Sequence, residues 1–290
     1  AWLNAQGPGP YYLDQAGETY VLQTDVATAG SAFGIIAKDV VFDLNGHTVT
    51  YDNAAPISIV NHSFEAGSGA SADGWDFSAA ASAERYQGVW INNEVYEGDH
   101  SLRFAPSSEN QTAVSTSLVT LEANTTYSLS GMFHKKNIND ITVFVEIENT
   151  SDGMVHRAEY SGINNRGIQW EEEVFTTGSS SDTYQMRVGV EGAFTENQVF
   201  VDDIKIQRTR TYGVAVGVFG WAATDYVDFT SFGSAENSEI RNGNIVQGQD
   251  GGTWGHGFYV RQAHDTILDN VNVTVAGANS SAVYWFSGDA

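Results

Sequence analysis

Tyr86 and Trp90 stand in the run "ERYQGVWINNE", two aromatic rings set among charged and amide side chains. A flat apolar ring with hydrogen-bonding neighbours suits a pyranose, which offers a C–H face and a hydroxyl rim. The mixture fits a binding loop better than a core. Gln185 and Arg187 alternate with Tyr184, Met186 and Val188. In a strand they therefore leave the core face and line either a groove or a solvated surface. Catalytic groups are harder to assemble. Lys38, Arg241 and Arg261 are available bases, and Asp225, Asp228, Asp250, Asp265 and Asp269 available carboxylates. None forms a recognisable acid–base constellation, and Asp and Asn at corners commonly bond the backbone. "DGGTWGHGF", Asp250 to Phe258, gathers an acid, a Trp and a His amid glycine and reads as a loop packed beside a strand. The seven histidines lack metalloprotease spacing, and no Gly-x-Ser-x-Gly elbow or phosphate loop occurs.

Composition narrows the partners. Asp and Glu number 36 against 13 Lys and Arg, a formal net charge of −23. Nothing here could neutralise a run of phosphates, so nucleic acid is excluded as a partner. An anionic membrane surface is disfavoured too, and so, more weakly, are polyanionic sugars. The hydrophobic share of 41% supports a packed core. There is no cysteine, hence no disulfide, Cys-zinc site or thiol nucleophile. No apolar run approaches the length of a membrane span. The chain opens at Ala1 and stops at "YWFSGDA" without a closing element, so a longer product is expected.

The elements that position these groups fall into two textures. "KDVVFDLNGHTV" from Lys38, "ENSEIRNGNIV" from Glu236 and "HDTILDNVNVTV" from His264 align on one another. The second and third do so without gaps at an offset of 28 residues, Ile240 on Leu268 and Ile245 on Val273. The first needs one or two extra residues at its Asn45-Gly46 corner. A repeat of this length with β-branched strands and Asn/Gly corners predicts a β-solenoid. Between residues 57 and 209, "ITVFVEIEN", "YQMRVGVEG" and "QVFVDDIKI" alternate apolar and polar residues, which predicts antiparallel strands with one buried face. The expected fold class is all-β: a partial β-solenoid over 1–56 and 210–290, interrupted by an inserted antiparallel β-sandwich over 57–209.

The solenoid segments resemble the right-handed parallel β-helix family of polysaccharide lyases and glycosidases, which implies that fold for 1–56 and 210–290. The insert carries, in order, "IVNHSFEAG", "DGWDFS", "GDHSLRF", "TYSLSGMF", "IQWEEEVF" and "QVFVDDIKI". This set resembles the β-jelly-roll carbohydrate-binding modules of families four, nine, sixteen and twenty-two. The resemblance implies a structural calcium where the first and last strands meet. Glu65 and Asp202 would be side-chain ligands, with further oxygens from around Ser63 and from the "GDHS" turn at Asp99. That chemistry is reasonable for a hard cation that takes six to eight oxygens. Trp75 matches the family's Gly-Trp, which stacks on sugar in some members. With Tyr86 and Trp90 it lies between the opening strand and "SLRF", so loops could bring the three rings to one rim. Trp170 matches a tryptophan that the family keeps for packing.

The leading expectation is therefore a non-catalytic, calcium-stabilised module that binds polysaccharide or oligosaccharide. It would belong to a secreted or cell-surface bacterial β-helix protein. The alternatives are a fragment of a β-helix lyase or glycoside hydrolase with its own activity, and a structural surface spacer. Unpaired strand edges at an open coil end also imply end-to-end self-association.

Overall fold

The computed structural model describes residues 2–3, 10–80, 82–136, 138, 140–162, 168–209, 211–217, 235–248, 255–261, 263, 265–277 and 280–286. Asp225, Asp228, Asp250 and most of "DGGTWGHGF" lie outside the described residues, as does the Arg261 side chain. Apart from one turn of 3-10 helix, every described element is a strand. The chain divides into two compact units, Ala1–Pro56 with Gln207–Ala290, and Ile57–Ile206.

The first unit contains two parallel sheets. One runs Tyr11–Leu13, Phe33–Ile35, Tyr212–Gly217, His256–Arg261 and Ser281–Phe286, each strand parallel to the next. The strands between these in sequence form the other sheet, where Glu239–Gln247 pairs with Val41–Asp43, Thr48–Tyr51 and Ile267–Thr274. Phe33, immediately before the 57–206 stretch in this sheet order, lies beside Val214, immediately after it.

The register is the alignment read from the repeats. Ile240 pairs with Leu268 and Ile245 with Val273, at the same 28-residue offset. Against the first copy, Arg241 pairs with Asp43 and Asn244 with Thr48, so the four residues Leu44–His47 face only Asn242 and Gly243. Asn45, Asn242 and Asn270 all have positive φ, 52°, 58° and 51°. Asn tolerates that region better than most residues, which is why it marks the corners. The Asn side chains then stack: Asn270 Nδ2 donates to Asn242 Oδ1 at 3.1 Å, and Asn272 Nδ2 to Asn244 Oδ1 at 3.2 Å. Inward-facing Phe33, Ile35, Phe42, Val49, Val214, Ile240, Ile245 and Phe258 make the core.

Gly213 is a tight point in this packing. A Cβ built there would come 2.6 Å from the backbone oxygen of Gly257 and 2.3 Å from Ile245 Cγ2. Because one obstacle is backbone, the strands themselves must shift. Gly213→Ala is expected to destabilise this unit by about 1–3 kcal/mol; a denaturation midpoint equal to the parent's would show that the strands part freely.

The second unit is an antiparallel sandwich. One sheet is ordered Trp75–Asp76, Gln111–Leu121, Asp182–Glu191, Thr142–Asn149, Val155–Tyr160. The other is ordered Ala83–Gln87, His100–Phe104, Val199–Arg208, Thr126–Lys135, Gln169–Thr176. Both contribute alternate residues to one core: Val143, Val145, Met186 and Val188 from the first, Leu102, Phe104, Leu129, Phe133 and Val201 from the second. Alternation then aims the intervening residues outward on two opposite faces.

Candidate functional site

The two outer faces differ in chemistry. On the first sheet the outward residues are charged and paired with one another. Arg157 Nη2 lies 2.6 Å from Glu146 Oε2 and its Nη1 lies 2.7 Å from Glu191 Oε1. Arg187 pairs with Glu148 and, at 3.5 Å, with Glu146. Gln185 Nε2 donates to the Ser115 carbonyl. Gln185 and Arg187 do leave the core, but they belong to this hydrogen-bonded face and not to the sheet that carries Tyr86.

On the second sheet the outward residues include Tyr86, Arg103, Phe200, Met132, His134 and Trp170. Leu102 pairs with Val201, core residue opposite core residue, and Phe133 is a core residue too, which leaves their chain neighbours Phe200, Met132 and His134 on the outer face. Met132 pairs directly with Trp170, so these two share a face. Phe200 is 5.6 Å from the Tyr86 ring and 5.9 Å from the His134 ring, the latter stacked.

The segment Val89–Tyr96 lines this face. It carries the 3-10 turn Trp90–Asn92, with Asn93 in a left-handed conformation at its end. Ser101 Oγ holds the segment by donating to the Glu94 carbonyl at 2.6 Å, and Glu94 Oε2 accepts the Val89 N–H at 3.2 Å. Between segment and sheet lies a shallow cleft of about 10 Å³, lined by Asn93, Glu94, Tyr96, Met132, His134 and Phe200 among others. That is room for about one water and far below the roughly 300 Å³ of drug-sized ligand sites, so a sugar would rest on the exposed rings beside it and not inside it. His134 Nδ1 is buried in it without a hydrogen-bond partner among the described residues. Burial holds the His134 imidazole below its usual pKa, and its contact with the Asn93 backbone opposes this. Burial likewise pushes the Asp202 carboxyl up to about 7, against the lowering effect of its backbone hydrogen bonds.

Four of the aromatic expectations resolve differently. Trp90 is 70% exposed, beside Ile91 at 80%. Trp170, expected as packing, is 43% exposed. Trp75 requires correction as a sugar-stacking residue: it is 7% exposed and lies in the sandwich core. Its Nε1 donates to the Asn61 carbonyl and its ring sits 5.2 Å from Phe64, so the Gly-Trp motif fastens the opening turn. Asn61 completes that turn, bonding the Ala66 amide and carbonyl and the Asp73 carbonyl. Tyr86 also changes role. The Arg103 guanidinium covers its ring at 4.1 Å and Phe200 packs beside it, so it is a wall of the site and not an open platform.

The four residues implied as calcium ligands do not assemble a cation cage. Glu65 Oε1 accepts the Asp99 and His100 amides at 2.9 and 2.7 Å, and its Oε2 lies 3.1 Å from His100 Nδ1. Asp202 Oδ2 accepts the Tyr96 and Glu97 amides, and its Oδ1 accepts the Asp203 amide. N–H dipoles aimed at both carboxylates are the surroundings of an anion that ties a turn, and they oppose a cation at the same oxygens. The Asp99 carbonyl is taken by the Gly88 amide, and Ser63 is buried. This set does not fit calcium. Among the described residues, His62, Glu97 and Asp203 instead bring donor atoms within 4.8 Å of one another.

Met132, His134, Phe200 and Glu94 escaped the sequence reading. The only signal was local: Met132 and Phe200 are apolar at positions where the alternation of "TYSLSGMFHK" and "QVFVDDIKI" assigns the outer face.

The architecture defines an all-β protein that pairs a unit of parallel sheets with an antiparallel sandwich. No family model and no curated protein matches the chain. Solved structures similar to it include a family 61 carbohydrate-binding module in complex with β-1,4-galactotriose, at 14% identity and a TM-score of 0.39, covering 53% of this chain and 99% of that one. A family 16 carbohydrate-binding module is 16% identical with a TM-score of 0.35, covering 46% and 90%. A cyclase from Fischerella sp. is 12% identical with a TM-score of 0.40, covering 52% and 95%. Likenesses at this level leave the functional argument to the residues of this chain. No helix among the described residues is long and apolar enough to cross a membrane.

Proposed function

We propose that the Ile57–Ile206 unit binds a polysaccharide or oligosaccharide on the outer face of the sheet that carries Met132, Phe200 and Trp170. In this reading it is the non-catalytic anchoring module of a secreted or cell-surface protein whose other unit is a parallel β-helix. The observation that carries it is the pair of exposed tryptophans, Trp90 and Trp170, on a face whose cleft has an apolar floor and a few buried polar groups. Exposed rings offer faces to the C–H side of sugars, at roughly 25 cal/mol per Å² of apolar surface buried. Buried groups such as Glu94 and His134 supply the hydrogen bonding that fixes orientation. The opposite face has its charges paired internally and, among the described residues, offers no exposed tryptophan. The acidic surface favours neutral over polyanionic chains.

A screen against a broad set of polysaccharides tests this. Retention of at least one neutral glycan is expected, weakened at least tenfold, or about 1.4 kcal/mol, by Trp90→Ala and by Trp170→Ala. Arg187→Ala, on the opposite face, should bind as the parent does. Normal binding by both folded tryptophan variants would move the site elsewhere, and retention of no glycan would favour a spacer.

A further inference from the structure

The structure assigns to His62, Glu97 and Asp203 a binding site for a divalent first-row transition ion, of which zinc is the model. His62 Nδ1 lies 3.8 Å from Glu97 Oε2 and 3.8 Å from Asp203 Oδ1. Tetrahedral donors at 2.0–2.1 Å from zinc are roughly 3.3 Å apart, so each of the two His62 contacts closes by about half an ångström, and all three donor atoms already lie within 4.8 Å of one another. Glu97 is half exposed and can supply that movement.

Two buried atoms point to a ligand. Asp203 is 4% exposed, and its Oδ1 finds no hydrogen-bond donor among the described residues. His62 Nδ1 is likewise buried and unpaired. A buried carboxylate oxygen without a partner is costly, and native structures usually fill such a place with a donor, a water or an ion. Lys205 Nζ satisfies the other oxygen, Asp203 Oδ2, at 2.6 Å and leaves Oδ1 facing the imidazole. Asp203 reaches this position through a φ of 47° within the strand Val199–Arg208.

The donor set selects the metal. One imidazole nitrogen with two carboxylates suits zinc and its neighbours, whereas calcium takes six to eight oxygens. The His62 backbone carbonyl accepts the Ile204 amide at 3.1 Å, which ties the opening turn to the last strand. None of these three side chains belongs to the Glu65–Asp202 set. An ion here would join the opening turn of the sandwich, the Glu97 segment and the last strand, and so act as a fastener.

The test uses the whole chain stripped of metal, with zinc and calcium added separately and followed by calorimetric titration and thermal melting. One zinc per chain and a raised Tm are expected, with calcium giving no comparable stabilisation. His62→Ala and Glu97→Gln should each weaken zinc binding at least tenfold while the metal-free Tm stays near the parent's. These two variants keep the test decisive even if Asp203→Asn fails to fold. Absence of stoichiometric zinc binding would overturn the assignment. So would zinc affinity unchanged in both variants, or calcium stabilisation that survives His62→Ala.

Discussion

Phe133→Ala lowers the unfolding free energy of the sandwich by about 3–5 kcal/mol, the range for removing a buried aromatic ring. The side chain is fully buried on the inner face of Thr126–Lys135, in the core shared by both sheets. The space beside it on the same strand is already close-packed: a Cβ built at Gly131 would lie 3.1 Å from the Phe133 ring and 3.4 Å from Val145. Little can therefore collapse into the cavity cheaply. The same strand presents Met132 and His134 on its other face, so the loss reaches the proposed binding surface as disorder of its floor. Hydrogen exchange at the amides of Thr126–Lys135, with denaturant titration, measures both effects. A loss below about 1 kcal/mol would show that this core repacks freely and that the platform does not depend on it.

Acid removes about 3 kcal/mol from the parallel unit through His256 alone. The imidazole is 3% exposed, stacked 4.6 Å from Tyr284 and 5.8 Å from Tyr259. Its Nδ1 accepts the Ser281 N–H at 3.1 Å, a bond that requires this nitrogen to be unprotonated. Burial pushes its pKa down from 6.5 to about 4. Between those values the unfolded chain holds a proton that the folded one does not, so stability falls as the pH drops. It is fully present above about pH 7 and is lost progressively towards pH 4. His256→Phe keeps a ring in the stack but cannot titrate, so its stability, read from exchange at His256–Arg261, should show a much shallower acid slope. An identical slope in the variant would assign the acid sensitivity to other groups.

The sequence by itself determined what depends on neighbours along the chain. Alternation of Tyr184, Met186 and Val188 with Gln185 and Arg187 marked a strand and its outer face, because successive side chains of a strand point opposite ways. The Asn242 and Asn270 corners were legible because positive φ is a local requirement that few residues meet. Those corners fix the 28-residue register of Ile240 on Leu268, which the strand pairing repeats.

What only the tertiary structure decided are properties created by residues distant in sequence. Trp75 and Trp170 are both followed directly by acidic residues, yet one is covered by Phe64 and Asn61 and the other is open beside Met132. Nothing local to either tryptophan records which neighbour arrives. Glu65 and Asp202 had the right chemistry for a cation, but the chain delivers backbone amides of residues 96–100 to their oxygens instead. One residue beyond Asp202, the positive φ of Asp203 aims a carboxylate at His62, a partner that spacing could not reveal. The physical reason is the same in each case. Period and turn chemistry are set by the backbone's own sterics, whereas burial, ligation and exposure arise only when sheets pair and place remote side chains against one another.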